Sequence, residues 1–153
     1  MKPISNRMRQ LTFKIQIETT PEKLWNCLWE AENYKKWTNV FCAGSHYKTD
    51  SFSEGSKIHL LTPDGLGMYS IIEKLEPNKT LVFRHLGELK NFEEQPAEKN
   101  EASWKDARES YEILPNQSGV ELTVKVDCIE QYCDYMNATF PKALEVLLQL
   151  SSE

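Results

Sequence analysis

The C-terminal part of the chain carries the strongest pattern. Between Gln131 and Leu150, Tyr132, Tyr135, Met136, Phe140, Ala143, Leu144, Leu147 and Leu148 recur at three- and four-residue steps. That spacing puts them on one face of an α-helix. A helix with one apolar face cannot stand alone in water and needs a surface to cover. Pro141 falls inside it and removes one backbone hydrogen bond, which predicts a kink near Asn137–Phe140.

The surface is supplied by what comes before, where the period shortens to two. Leu11, Phe13, Ile15 and Ile17 alternate with Thr12, Lys14, Gln16 and Glu18, the mark of a half-buried strand. Thr20-Pro21 then opens a short helix, a capping hydroxyl followed by a proline whose missing N–H does no harm there. Leu24, Trp25, Leu28 and Trp29 form its apolar face, and a second short helix follows from Glu30 to about Trp37. Gly44–Asp50, Lys57–Thr62, Leu66–Leu75, Thr80–Leu86, Trp104–Leu114 and Val120–Cys128 read as further strands, with turns such as Pro63-Asp64-Gly65 and Glu76-Pro77-Asn78-Lys79 between them. Short connections imply antiparallel neighbours. The predicted class is α+β: a curved antiparallel sheet of seven strands around a long C-terminal helix, with two short helices between the first two strands. Residues 1–10 are expected to form a loose arm, and residues 11–153 a single domain.

Composition narrows the function classes. Eighteen basic against twenty-three acidic residues give a net charge of −5, with no basic or aromatic stripe, so a nucleic-acid partner is not expected. No apolar run approaches the roughly twenty residues of a membrane span, and Met1–Gln10 lacks the apolar centre of a signal peptide. The expected location is cytoplasmic. Cys27, Cys42, Cys128 and Cys133 show no C-x-x-C pairing, and His46, His59 and His85 are scattered, so neither a metal centre nor any other cofactor is expected.

Four stretches in order carry a resemblance. They are Thr19-Thr20-Pro21-Glu22-Lys23-Leu24-Trp25 with Trp37 downstream, Gly55-Ser56-Lys57-Ile58, Glu73-Lys74-Leu75-Glu76-Pro77-Asn78-Lys79-Thr80-Leu81-Val82-Phe83, and Pro141-Lys142-Ala143-Leu144-Glu145. With them the chain resembles the START-like helix-grip superfamily, in particular the group of activator of Hsp90 ATPase homologues and polyketide-cyclase-like proteins. The resemblance implies a hydrophobic cavity between sheet and terminal helix, and small-molecule or protein partners. Two departures stand out. Relatives often carry Trp near the end of the fifth strand, where this chain has His85. The Hsp90 activator has an additional N-terminal domain for which the expected layout leaves no room.

The candidate chemistry centres on His85 and Glu109. Leu81, Phe83 and His85 share one face of a strand, Ala107, Glu109, Tyr111 and Ile113 share one face of another, and the two strands are expected to be neighbours. An imidazole and a carboxylate in one apolar pocket would be tuned by burial and by each other. Tyr69, Tyr111, Trp104 and Tyr135 offer apolar bodies with polar tips, and Phe83, Met68, Met136 and Phe140 are candidates to shape the cavity. The stretch Gly87–Ser103, with Glu88, Glu93, Glu94, Glu98 and Glu101, is either a lid or a solvated acidic insertion. The expected function is binding of an apolar or amphipathic small molecule. Two alternatives stay open: a cyclase- or dehydrase-type enzyme using His85 and Glu109, and a protein-interaction domain with a chaperone-type partner. A homodimer is compatible with each of them.

Overall fold

The computed structural model describes residues 8–96 and 104–153. Its elements run β1 (Met8–Ile17), α1 (Pro21–Trp29), α2 (Ala31–Thr38), β2 (His46–Lys48), β3 (Lys57–Leu61), β4 (Gly67–Glu76), β5 (Thr80–Lys90), β6 (Glu93–Glu94), β7 (Arg108–Asn116), β8 (Gly119–Ile129), a 3-10 turn (Glu130–Tyr132) and α3 (Cys133–Ser151). The strands form one antiparallel sheet in the order β1-β8-β7-β5-β4-β3-β2, with β6 attached to β5. The main path has the expected seven strands; β6 is an eighth that the sequence did not suggest.

Local chemistry fixes the helix starts. Thr20 Oγ1 accepts from the Lys23 backbone N–H at 3.1 Å, and Pro21 follows at the first turn of α1. Glu30 ends α1 and caps α2, its carboxylate accepting from the N–H groups of Glu32 and Asn33 at 3.1 Å each. One strand connection depends on glycine: at φ +130° Gly119 passes so close to the Ile17 carbonyl that a Cβ would stand 2.3 Å from it.

The inner face of the sheet carries the core. Leu11, Phe13, Ile15 and Ile17 of β1 stand opposite Val126, Val124, Leu122 and Val120 of β8. Against them α3 lays Phe140, Ala143, Leu144, Leu147 and Leu150, all buried, and Phe140 stacks on Phe13 at 4.9 Å between ring centroids. Trp29 is the aromatic hub, edge-on to Tyr111 at 4.8 Å and to Phe83 at 5.5 Å.

Several boundaries differ from the sequence expectation, each for a local reason. β1 starts at Met8, inside the expected arm, because Met8 pairs with Ile129 and Arg9 reaches Glu130 at 3.1 Å; the rest of the arm, residues 1–7, lies outside the described residues. The fifth strand continues to Lys90 and turns back at Asn91 and Phe92, both in the left-handed region, so the described part of the expected loop is a hairpin. Residues 97–103, the second part of the candidate lid Gly87–Ser103, lie outside the described residues. The terminal helix begins two residues late, after the 3-10 turn, and runs unbroken through Pro141.

Two register irregularities interrupt the pairing of β4 and β5. Tyr69 pairs with Gly87 whereas Ser70 pairs with His85, leaving Leu86 as an extra residue on β5. Before this bulge β5 turns Leu81, Phe83 and His85 inward. Beyond it Gly87 and Leu89 belong to the opposite face, where the Tyr69 ring lies across Gly87 and its hydroxyl donates to the Gln95 carbonyl at 2.6 Å. Glu94 closes the same side, accepting from Lys57 at 3.0 Å and lying 2.8 Å from His59 Nε2.

Candidate functional site

The packing between sheet and helices is complete at one end and open at the other. At the open end a cleft of about 240 Å³ lies between α2 with the turn after it, the first turns of α3, and the inner face of β3, β4, β5 and β7. Tyr34, Trp37, Thr38, Phe41 and Cys42 form one wall, Met136 and Phe140 a second, Leu60 and Met68 a third, and His85, Glu109 and Tyr111 the floor. Trp37 is held by its indole N–H, which donates to the Leu28 carbonyl at 3.0 Å. Phe41 packs edge-on to Phe140 at 5.0 Å.

The floor is a polar chain, buried except for the half-buried Glu109. Ser70, wholly buried on β4, has its Oγ 2.7 Å from His85 Nδ1, and His85 is itself 4% exposed. His85 Nε2 stands 4.0 Å from Glu109 Oε1, an ion-pair distance and too long for a hydrogen bond. The other carboxylate oxygen, Oε2, accepts from the Tyr111 hydroxyl at 2.6 Å. Each of the two ionisable groups thus has one polar atom tied to the protein and one turned toward the other and the cleft.

Burial sets their proton affinities. It holds the His85 imidazole down to about 4, opposed by the charge of Asp127, so the ring is neutral near pH 7. It pushes Glu109 above the usual carboxylate range, and the Tyr111 hydrogen bond pulls the other way. Tyr111 and Tyr34 are raised, first by burial and then by the nearby Glu109 charge, so both phenols keep their protons.

Of the ten residues singled out from the sequence, six meet at this cleft: His85, Glu109, Tyr111, Met68, Met136 and Phe140. Four do not. Tyr69 lies on the opposite face of the sheet, since it follows Met68 by one residue and strand side chains alternate. Phe83 is buried in the solid core beside Trp29. Trp104 packs at a tilt against Tyr132, ring centroids 5.6 Å apart, and does not line the cleft. Tyr135 is 47% exposed with its hydroxyl on the Phe41 carbonyl at 2.7 Å, because the buried face of α3 runs through Met136, Phe140 and Ala143 and Tyr135 flanks it. The α2 wall was missed, although Tyr34, Trp37, Thr38 and Phe41 carry a helical i, i+3, i+4, i+7 spacing that would have found it. His46 also lines the cleft, near Gly44 with Nδ1 3.0 Å from its carbonyl. Among the described residues no group of three or more His, Cys, Asp or Glu is placed to hold a metal ion, and no helix is long and apolar enough to cross a membrane.

With the layout of sheet, clasped helix and cleft established, the comparison with known families is decisive. The family model for activator of Hsp90 ATPase homolog 1-like proteins matches residues 18–144. The chain belongs to this family. Its helix-grip fold recurs in solved structures. A protein from Mesorhizobium loti is 20% identical, with a TM-score of 0.70 over 93% of this chain and 96% of that one. The Aha1 dimer from Colwellia psychrerythraea is 22% identical, with a TM-score of 0.61 over 94% and 93%. CalU16 from Micromonospora echinospora is 13% identical, with a TM-score of 0.63 over 92% and 72%. These likenesses establish the fold alone. No curated protein matches the chain.

Proposed function

We propose that this member of the family binds a small apolar or amphipathic molecule in the cleft between α2, α3 and the inner face of the sheet, within the cytoplasm. The observation that carries the reading is the composition of the cleft: aromatic and aliphatic walls around a floor with two polar atoms, His85 Nε2 and Glu109 Oε1, that no group among the described residues meets at hydrogen-bond distance. Ligand pockets are mostly apolar with a few fixed polar groups. At about 240 Å³ the cleft is just below the ~300–1,000 Å³ usual for drug-sized ligands, which favours a body of one or two rings. A ligand-observed NMR screen of one- and two-ring fragments should give hits that compete with one another and perturb Met136 and Phe140. Absence of any competing hit, together with no retained molecule by native mass spectrometry, would sink the reading.

A second reading, turnover, is favoured by one feature. A neutral imidazole and a carboxyl of raised proton affinity stand 4.0 Å apart, a separation at which both reach one ligand atom. Incubation of each bound compound with the protein, followed by mass analysis, separates the two readings. Recovery of unchanged compound means binding alone, while a product whose formation stops in His85→Phe and Glu109→Leu means catalysis.

A further inference from the structure

The hydrogen bonds on the cleft floor assign a tautomer, and the tautomer narrows the ligand. Ser70 is fully buried, and the acceptor its hydroxyl meets is His85 Nδ1 at 2.7 Å. A buried hydroxyl with no acceptor loses its hydration for nothing. Donation from Ser70 into Nδ1 satisfies it, whereas the reverse direction would leave the hydroxyl proton without a partner. Nδ1 is therefore the acceptor nitrogen of the neutral ring, and the imidazole proton sits on Nε2. On the other side Glu109 Oε2 is taken by the Tyr111 hydroxyl, which leaves Oε1 as the accepting oxygen.

A donor, Nε2–H, and an acceptor, Oε1, thus stand 4.0 Å apart, too far to bond each other. One atom set at ordinary hydrogen-bond distance from both would see them at roughly a right angle, and it must accept from the first and donate to the second. A hydroxyl oxygen does both. A carbonyl would leave Oε1 unpaired, a carboxylate would face Glu109 charge to charge, and an ammonium would set a donor against Nε2–H. The surrounding rings of Tyr34, Trp37, Phe41 and Phe140 suit a flat body.

From this geometry, and resting on the binding role proposed above, we propose that the cleft selects ring compounds bearing a phenol-type hydroxyl, held between His85 Nε2 and Glu109 Oε1. The phenol keeps its proton at neutral pH and donates it to Glu109 without transfer.

The test is calorimetric titration of the full chain with four probes of one shape: 2-naphthol, 2-methoxynaphthalene, naphthalene and 2-naphthaldehyde. 2-Naphthol should bind at least tenfold more tightly than the other three, and the advantage should fall to about twofold or less in His85→Phe and in Glu109→Leu. If the four bind alike, the cleft is a ligand site but the hydroxyl selection is overturned. If 2-naphthaldehyde binds best, the floor presents two donors and the inference is again overturned. If none binds up to its solubility, both the inference and the binding role fall. Should either variant fail to fold, nitrogen-15 NMR of the wild-type histidines decides independently. A pyrrole-type Nε2 and a pyridine-type Nδ1 in His85 are expected, and the opposite tautomer would overturn the assignment.

Discussion

The two ends of the helix–sheet interface obey the same packing rules with different outcomes. At the closed end Leu24, Leu28, Val120, Leu122 and Leu147 are wholly buried, and α3 meets β1, β8 and α1 with apolar side chains on every side. At the open end α3 offers the half-buried Met136 where the closed end has Leu147, and the sheet answers with His85 and Glu109 instead of leucine and valine. The closed end shows what it takes to make this fold stable. The open end shows what a fold so stabilised can leave unfilled: a buried base and a half-buried acid, which cost stability unless paired.

This contrast is open to measurement. The largest effect is expected from Leu147→Ala, which empties a fully buried site and should cost about 2–5 kcal/mol in urea unfolding. Met136→Ala, at the cleft wall, should cost only about 1 kcal/mol. Equal losses would mean that the cleft is as much a part of the core as the closed end.

A comparable effect is expected from His85 through pH. Its folded pKa of about 4 lies below the ordinary 6.5, so between these values the unfolded chain takes up a proton that the folded one refuses. Stability should therefore rise with pH across that window, by about 3 kcal/mol in all, and His85→Gln should remove this rise. Glu109 acts in the opposite sense. Its folded pKa is raised, so above 4.5 the unfolded chain gives up a proton that the folded one retains, and this contribution falls as pH rises. Glu109→Gln should leave a steeper rise than the wild type shows. Chemical denaturation at half-unit pH steps from 4 to 7 checks both signs.

Smaller again, Tyr111→Phe removes the 2.6 Å bond to Glu109 and should cost about 1–2 kcal/mol at neutral pH. It should also raise the Glu109 pKa further, which a carbon-13 glutamate titration reads directly. Thr20→Ala, at the α1 cap, should cost about 1 kcal/mol and leave ligand affinity unchanged, as expected if the two ends are energetically separate.

The closed end was legible in the sequence because it is built from repetition. The alternation of Leu11 to Ile17 and of Val120 to Val126, and the helical steps from Phe140 to Leu147, each restate one face several times. At the cleft, His85 and Glu109 were found by the same alternation carried one strand further, with Phe83 opposite Glu109 fixing the register. What was not legible depends on phase. Met68 and Tyr69 are adjacent in a strand and cannot share a face, and Ser70, paired with His85, settles which of them points inward. The short helical steps from Tyr34 to Phe41 cross the end of α2, so they read as ordinary core rather than as a wall. The hairpin at Asn91 and Phe92 has no glycine at either left-handed position, and its turn chemistry was therefore silent.

The bulge at Leu86 makes β5 a divided strand, each half answering to a different side of the sheet. Were Leu86 instead to pair with Tyr69 in regular register, every residue after it would turn over, carrying Leu89 toward the clasped helix and Glu88 to the outer face. With the offset kept, the hairpin beyond Gly87 is free to vary in length and charge while the imidazole at position 85 stays aimed where it is. The outer side of this protein can thus change its surface without disturbing the interior.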